Sequence, residues 1–278
     1  MIYIVIPVFN RWHFTKICLQ QLEKQSYIDF KTIIIDDGSS DETSEELTKN
    51  HPDIIVLKGD GSLWWTGGIN LGIAYALKQG ATYIVTLNND TIPAHDYVEQ
   101  LLKASKIEPK ALIGSTGTDA NTKEINFCGE RVKWISDSAV SLKDSLTKDQ
   151  QFGLHEVSYF PGRGLLIPKI VFDTIGLFDR ETFPHYMADY DFTLRARKAG
   201  FKVYCSLDTK LATYPEASGA NQLMEQKSWK NYREHLFGIK GAANLKYYYT
   251  YVFRHCPWYF LPINITIGTL KRLINYWR

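Results

Sequence analysis

Four apolar runs, spread through the first 90 residues, restrict what this chain can fold into more than any other feature. "IYIVIPV" (2–8), "KTIIID" (31–36), "DIIVLK" (53–58) and "TYIVTL" (82–87) are rich in β-branched residues and nearly free of polar interruption. A strand with one wet face alternates apolar and polar residues, whereas a near-continuous apolar strand is covered on both faces. Helical stretches lie between the runs. One carries Ile17, Leu19 and Leu22; "SDETSEELTKN" (40–50) opens with a Ser/Asp cap and early acids; "INLGIAYALKQG" (69–80) stops at Gly80. The alternation predicts an α/β fold, an open and mostly parallel sheet with helices on both faces.

Residues 116–160 are more polar and less regular, with short β-like pieces ("EINFCG", "RVKWIS"). A second α/β portion runs from "YFPGRGLLIPKIVFDTIGLFD" (159–179) through a helix-like "YDFTLRARKAG" (190–200) to a strand-like "FKVYCSL" (201–207). The chain therefore divides into a first half (1–115), a second half of the same domain (116–225) and a C-terminal helical segment (226–278). At 278 residues it is long for one domain but within the range of single α/β domains.

The net charge of +2 gives no case for nucleic acid as a partner, but its distribution is uneven. Residues 227–278 hold nine Lys or Arg and one acid, Glu234, a net +8, against −6 for the preceding body. A basic, aromatic tail suits an anionic surface, most simply a membrane leaflet. Four scattered cysteines without a CxxC pair read as free thiols of a reducing compartment. The N-terminus starts directly as a strand, without a basic leader, and no window offers about 20 uninterrupted apolar residues. These features predict a cytoplasmic protein, peripheral at the inner face of the cell membrane if the tail binds lipid.

In open α/β sheets ligands bind beyond the carboxyl ends of the strands. Three polar clusters fall there: Asn10-Arg11 after the first run, Asp36-Asp37-Gly38 after the second, and Asn88-Asn89-Asp90 after the fourth. Each alone is ordinary turn chemistry; together they should line one crevice. Asp36 or Asp37 can accept from an imide N–H of a pyrimidine base, with Gly38 permitting a sharp turn. Asp90 offers the hard oxygen that Mg²⁺ or Mn²⁺ prefers. In "DGSLWWTGGINLGI" (60–73), Thr66, Gly67 and Gly68 could bring backbone N–H groups to phosphate at a helix start. The Trp64-Trp65 pair either caps the core or packs on a sugar ring.

"IVIPVFNR", "IIIDDGSSDET", "GGINLGI", "LNND" and "GLFDRETFPHYMADYDFTLRARKAGF" occur in the order found in family 2 glycosyltransferases, inverting nucleotide-sugar enzymes of the GT-A fold. The sequence resembles that family over roughly residues 2–206, in a flavour closest to its bacterial, rhamnosyltransferase-like polysaccharide branch. The resemblance implies that Asp37 contacts a uracil or thymine ring, with Pro7, Val8 and Asn10 as the adjoining wall and Gly68 and Asn89 in the nucleotide site. Asp90 takes the last position of the family's DxD-type metal motif, although Asn88 and Asn89 replace acids before it. Asp189 takes the place of the catalytic base, with Ala188 standing where the first acid of the motif is usual. Trp65, Arg163 and Gly164 (the last two in "PGRGLLI") and Asp191 fall among acceptor or donor-sugar positions. Related enzymes often add a His metal ligand after the base; "KLATYPEASG" (210–219) has Tyr214 instead, and His185 is the substitute in reach.

Direct readings stand beside these. Asp189 can cap the following helix, and Asp191 can pair with Arg195 at i,i+4. The aromatic and basic stretch 247–278, broken by Pro257 and Pro262, can lie in a membrane interface or pack on protein. The expected activity is a metal-dependent hexosyltransferase moving one sugar from a UDP- or dTDP-linked donor to a glycan or lipid-linked glycan. The absence of a Q-x-x-R-W stretch argues against a processive synthase. The rival reading is a nucleotide- or glycan-binding scaffold that has lost the chemistry.

Overall fold

The computed structural model describes residues 1–147, 150–214 and 227–277. The first apolar run becomes β1 (Ile2–Val8), and the next three become β2 (Phe30–Asp36), β3 (Ile55–Lys58) and β4 (Tyr83–Thr86). These four strands are parallel, in the order β3-β2-β1-β4. The sheet continues past β4 through β11 (Leu165–Pro168), which runs antiparallel to both its neighbours, to β6 (Leu112–Asp119) and β12 (Val203–Thr213). β10 (Leu154–Glu156) closes that edge, while β5 (Thr91–Pro93) and β7 (Ile125–Phe127) add short antiparallel pairs. β8 (Glu130–Lys133) and β9 (Ser138–Ser141) form a separate ribbon. One sheet thus draws strands from both sides of residue 115.

The continuous apolar strands are explained by the two cores they separate. In β1, Tyr3 and Val5 face a core shared with α3 (Trp64–Lys78), while Ile2, Ile4 and Ile6 face the opposite core with α1 (Trp12–Leu22). The first core also receives α5 (Lys169–Ile175), α6 (Ala188–Lys198) and α8 (Leu245–His255); the second receives α2 (Thr43–Asn50) and α4 (Tyr97–Ile107). Side chains alternate across the pleat, so a strand between two helical layers must be apolar at every position. Burying such a core contributes about 25 cal/mol for each Å² of apolar surface.

Two expectations need correction. The helix expected at 69–80 begins at Trp64, so Thr66, Gly67 and Gly68 lie inside its first turns. The reason is packing. A Cβ on Gly72 would stand 2.4 Å from Val5 Cγ1 and one on Gly68 would stand 3.1 Å from Pro7 Cβ. The glycines bring α3 close against β1, and that burial outweighs their poor helix propensity. The second correction concerns α6, whose N-terminal cap is Met187 in the left-handed region (φ 69°), not Asp189.

The C-terminal segment packs back on the body. α7 (Trp229–Phe237) and α8 are followed, after Pro257, by a turn (Trp258–Phe260) and a terminal helix. That helix is α-helical over Leu261–Ile263 and Thr269–Asn275 and π-helical over Asn264–Gly268 between them. Among the described residues, no helix is long and apolar enough to cross a membrane.

Candidate active site

The three strand-tip clusters meet at the carboxyl ends of the parallel strands. Asn10, just past β1, accepts at Oδ1 from the backbone N–H of Ser40 (2.8 Å) and Asp41 (3.4 Å). Its own N–H donates to Ser39 Oγ (2.8 Å). Arg11 reaches the other way and donates to Asp90 Oδ2 at 3.2 Å. Asn10 and Arg11 both have positive φ (58° and 65°), a turn that aims the two side chains at opposite neighbours. The Arg11–Asp90 pair joins residues 79 positions apart and was not foreseen in the sequence. A cation directly after β1 was its only signal.

Asp37 is nearly buried, and its N–H donates to Val8 O (2.9 Å). Its carboxylate accepts three backbone N–H groups: Gly61 at Oδ1 (2.9 Å), and Leu63 (2.9 Å) and Trp64 (3.2 Å) at Oδ2. A carboxylate offers about four lone-pair sites, so one remains for a single external donor such as an imide N–H. Gly38 takes the positive φ (78°) that the turn needs. Asp36 is turned inward, accepting from Ser39 N (2.9 Å) and from the Ser44 hydroxyl. Pro7 and Val8 end β1 beside these groups, with Gly68 against Pro7.

The Gly-rich stretch does not form the expected phosphate loop. Thr66 N donates to Pro184 O, Gly67 N to Leu63 O, and the Thr66 hydroxyl to Phe183 O (2.6 Å). Those N–H groups are already occupied. Asn89 is also committed, since its amide donates to Thr15 Oγ1 (3.0 Å) in a buried position.

A chain of contacts links the other side of the crevice. Asp189, in the first turn of α6, accepts from Gly162 N at Oδ2 (2.9 Å) and from Tyr190 N at Oδ1 (3.0 Å). Gly162 lies under Trp65; a Cβ there would be 2.2 Å from the indole ring. The Trp65 indole N–H donates to Asn88 Oδ1 (3.0 Å), two residues before Asp90. Trp65 is therefore the spacer between the candidate base and the candidate metal carboxylate. Burial raises the Asp189 carboxyl above its ordinary value, the opposing backbone hydrogen bonds and the nearby Arg163 charge only partly offsetting it. Arg163 also lies 5.8 Å from the centre of the Phe127 ring. Gly164 (φ 76°) is buried where a Cβ would meet Leu211, Ser115 and Tyr97, so it shapes the turn without facing the crevice.

Asp191 faces away. Its fully buried carboxylate accepts from Arg195 Nε at Oδ2, and from Arg254 Nη1 and His255 Nε2 at Oδ1, each at 2.8 Å. It clamps α6 to α8 and presents no free face to a sugar. Burial opposes its ionisation, but the hydrogen bonds from His255 and Arg195 win and hold the carboxyl at about 2.

A divalent cation fits this site only in a particular way. Among the described residues no three His, Cys, Asp or Glu side chains converge as a ligand set. Asp90 is a lone carboxylate with Arg11 against it, which suits an ion carried in by a diphosphate and not one held by protein alone. His185 packs edge-on to Trp64 (5.9 Å), its Nδ1 unpaired, with burial and then Lys240 lowering its pKa to about 4. Tyr214 lies tilted against Phe14 (5.1 Å), which in turn carries Arg11 over its face (4.9 Å). The rest of "KLATYPEASG" lies outside the described residues.

Sheet order, strand-tip carboxylates and a carboxylate at a helix start opposite them define a GT-A glycosyltransferase. Residues 3–174 match the sequence profile described as Glycosyl transferase family 2, and the chain belongs to that family. Uncharacterised glycosyltransferases of Rickettsia typhi and Rickettsia prowazekii are 27% and 25% identical, each match covering 88% of this chain and 76% of theirs. Among solved structures, GalNAc-T7 with UDP, GalNAc and Mn²⁺ shares the fold at TM-score 0.63 and 13% identity, over 91% of this chain and 50% of that one. The 1–349 portion of S. aureus TarS in complex with UDP matches at TM-score 0.57 and 13% identity, over 99% and 80%. Against a longer TarS chain, this one spans 40% of the length.

Proposed function

We propose that this chain is an inverting, single-addition glycosyltransferase taking its sugar from a nucleoside diphosphate, UDP- or dTDP-linked. Its acceptor is a hydroxyl of a growing glycan or lipid-linked glycan. The UDP bound to the TarS portion and to GalNAc-T7 supports the donor class by fold analogy alone. The observation that carries the reading is the contact chain Asp189–Gly162–Trp65–Asn88. It fixes a carboxylate with a raised pKa across the crevice from Asp90.

In this reading Asp37 uses its remaining acceptor site for the pyrimidine imide, beside Pro7, Val8 and Asn10. Asp90 would hold a Mg²⁺ or Mn²⁺, a metal class that the Mn²⁺ in GalNAc-T7 supports by fold analogy. When bound, the cation neutralises charge on the departing diphosphate. Asp189 takes the proton of the acceptor hydroxyl as its oxygen bonds to the anomeric carbon and the sugar–phosphate bond breaks. Arg163 lies near enough to Asp189 to orient acceptor or phosphate. Arg11 already supplies a positive charge at Asp90, and this favours a second reading, a scaffold that binds nucleotide without turnover.

Donor hydrolysis across UDP-, dTDP- and GDP-sugars, with Mn²⁺ or EDTA, separates the two. Slow metal-dependent release of one nucleoside diphosphate, lost in Asp90→Ala, is expected. Tight nucleotide binding with no release from any donor supports the scaffold.

A further inference from the structure

The terminal helix is inside out. Its charged side chains turn toward the protein: Lys271 Nζ donates to the carbonyls of Ser136 (2.8 Å) and Asp137 (2.6 Å), and Arg272 stacks on Tyr248 (3.3 Å to the ring centre). Arg272 also pairs with Asp137 (3.3 Å), and Asn264 is buried with its amide on Trp134 O. The outward face carries Tyr259, Ile263, Ile267, Leu270, Ile274 and Trp277, each between 37% and 57% exposed. At 3.6 residues per turn the spacing of 4 and 3 places Leu270, Ile274 and Trp277 within about 60° of arc, and Ile263 and Ile267, also exposed, lie just upstream at the π-helical turn. A surface helix in water shows the opposite pattern, and a contiguous apolar stripe marks an interaction face.

The surroundings say what covers it. Trp229, at the start of α7 and 77% exposed, packs on Trp277 (5.1 Å), so the stripe continues onto α7. Beside it Lys227, Lys230 and Arg233 are exposed and make no ion pair among the described residues. Trp258 (80% exposed) lies at the other end of the stripe. Apolar residues along the middle, tryptophans at both ends and basic residues at one rim match the chemistry of an anionic bilayer surface. Exposed cations at the rim with no ion-pair partner among the described residues gain from the phosphates of an anionic leaflet.

We infer that the terminal helix lies in the plane of an anionic membrane, its Tyr259–Trp277 stripe sunk to headgroup depth and the α7 cations on lipid phosphates. The inference uses only this surface and stands whether or not the chain turns over a sugar nucleotide.

Flotation of the full chain with vesicles tests it, using phosphatidylcholine alone or with about one-third phosphatidylglycerol. The wild type is expected to float with the anionic vesicles and to release as salt rises. Leu270→Glu/Ile274→Glu changes exposed side chains only, and should lower partitioning by roughly a hundred-fold. Circular dichroism and nucleotide binding should be unchanged, and Lys230→Glu/Arg233→Glu should weaken binding to anionic vesicles selectively. The inference is overturned if the wild type stays with the buffer in both vesicle types. It is equally overturned if the chain runs as a dimer that Leu270→Glu/Ile274→Glu disperses while vesicle binding is nil, because the stripe is then a self-interface. A double variant that misfolds leaves the wild-type partitioning and the Lys230→Glu/Arg233→Glu arm to decide.

Discussion

Replacing Asp191 by asparagine, beside the same change at Asp189 two residues away, should give opposite outcomes. Asp191 is fully buried and its Oδ1 serves Arg254 and His255 while Oδ2 serves Arg195. An asparagine can keep the first pair through its carbonyl, but its NH₂ then faces the Arg195 Nε–H, donor against donor. Breaking a buried, charge-bearing network typically costs about 3 kcal/mol or more. The depressed pKa gives a separate figure. A drop from 3.8 to about 2 corresponds to about 2 kcal/mol at roughly 1.4 kcal/mol per unit. For a chain of this size a loss of 2–3 kcal/mol lowers the melting temperature by roughly 4–10 °C. The sign of the pH dependence follows. A carboxylate with a depressed folded pKa stabilises fully above 3.8, and that contribution is lost as pH falls through about 2. The wild type and Asp191→Asn should therefore differ most at neutral pH and converge in strong acid. Asp189→Asn removes a charge that burial penalises, though its NH₂ must face the Gly162 or the Tyr190 N–H, so it should lose less stability than Asp191→Asn while transfer to acceptor falls at least a hundred-fold. Denaturation melts across pH, with product formation in parallel, check both. An Asp191→Asn protein that melts like wild type but is inactive would refute the clamp and return Asp191 to the sugar site.

Two further changes probe the packing that shapes the crevice. Gly72→Ala places a Cβ 2.4 Å from Val5 Cγ1 and 2.7 Å from Ile35 Cδ1, and should cost about 1–3 kcal/mol in urea denaturation with nucleotide affinity little changed at permissive temperature. Trp65→Phe keeps a ring over Gly162 but removes the indole donor to Asn88 (3.0 Å). Donor turnover should fall about ten-fold with only about 1 kcal/mol lost in stability; an equal fall in both would make Trp65 a core residue and nothing more.

The strands were legible because their constraint is local. Any residue of β1 must face one core or the other, so "IYIVIPV" shows its burial directly. The Asp191–Arg195 pair was legible for the same reason, being one helical turn apart. "WWTGG" misled because its glycines suggest a loop, whereas Gly68 and Gly72 answer to Pro7, Val5 and Ile35 on distant strands. The Arg11–Asp90 contact spans 79 residues, and no spacing rule reaches that far. The C-terminal segment showed its aromatic and basic character but not which side chains would turn inward. Asp137 decides that by taking Lys271 and Arg272 inward, and Asp137 belongs to the ribbon whose polar sequence carried the weakest pattern.

The family match ends at residue 174, before the helix that carries Asp189. That helix is not held by the shared sheet alone. Asp191 on its buried side is gripped by Arg254 and His255 of α8, and Arg254 also holds Asp179 (2.9 Å) at the approach to α6. Tyr248, earlier on α8, donates to Asp137 (2.8 Å) and to Asn264 O of the terminal helix (2.6 Å). Candidate base, α6, α8 and terminal helix therefore form one hydrogen-bonded body. If the stripe binds a membrane, it would do more than tether the protein. A membrane under the terminal helix would fix the orientation of α6, and so of Asp189, relative to the lipid surface. An acceptor carried on a lipid would then meet the base at a set height above the bilayer, and positioning of that kind lowers a barrier through orientation without adding any group to the reaction.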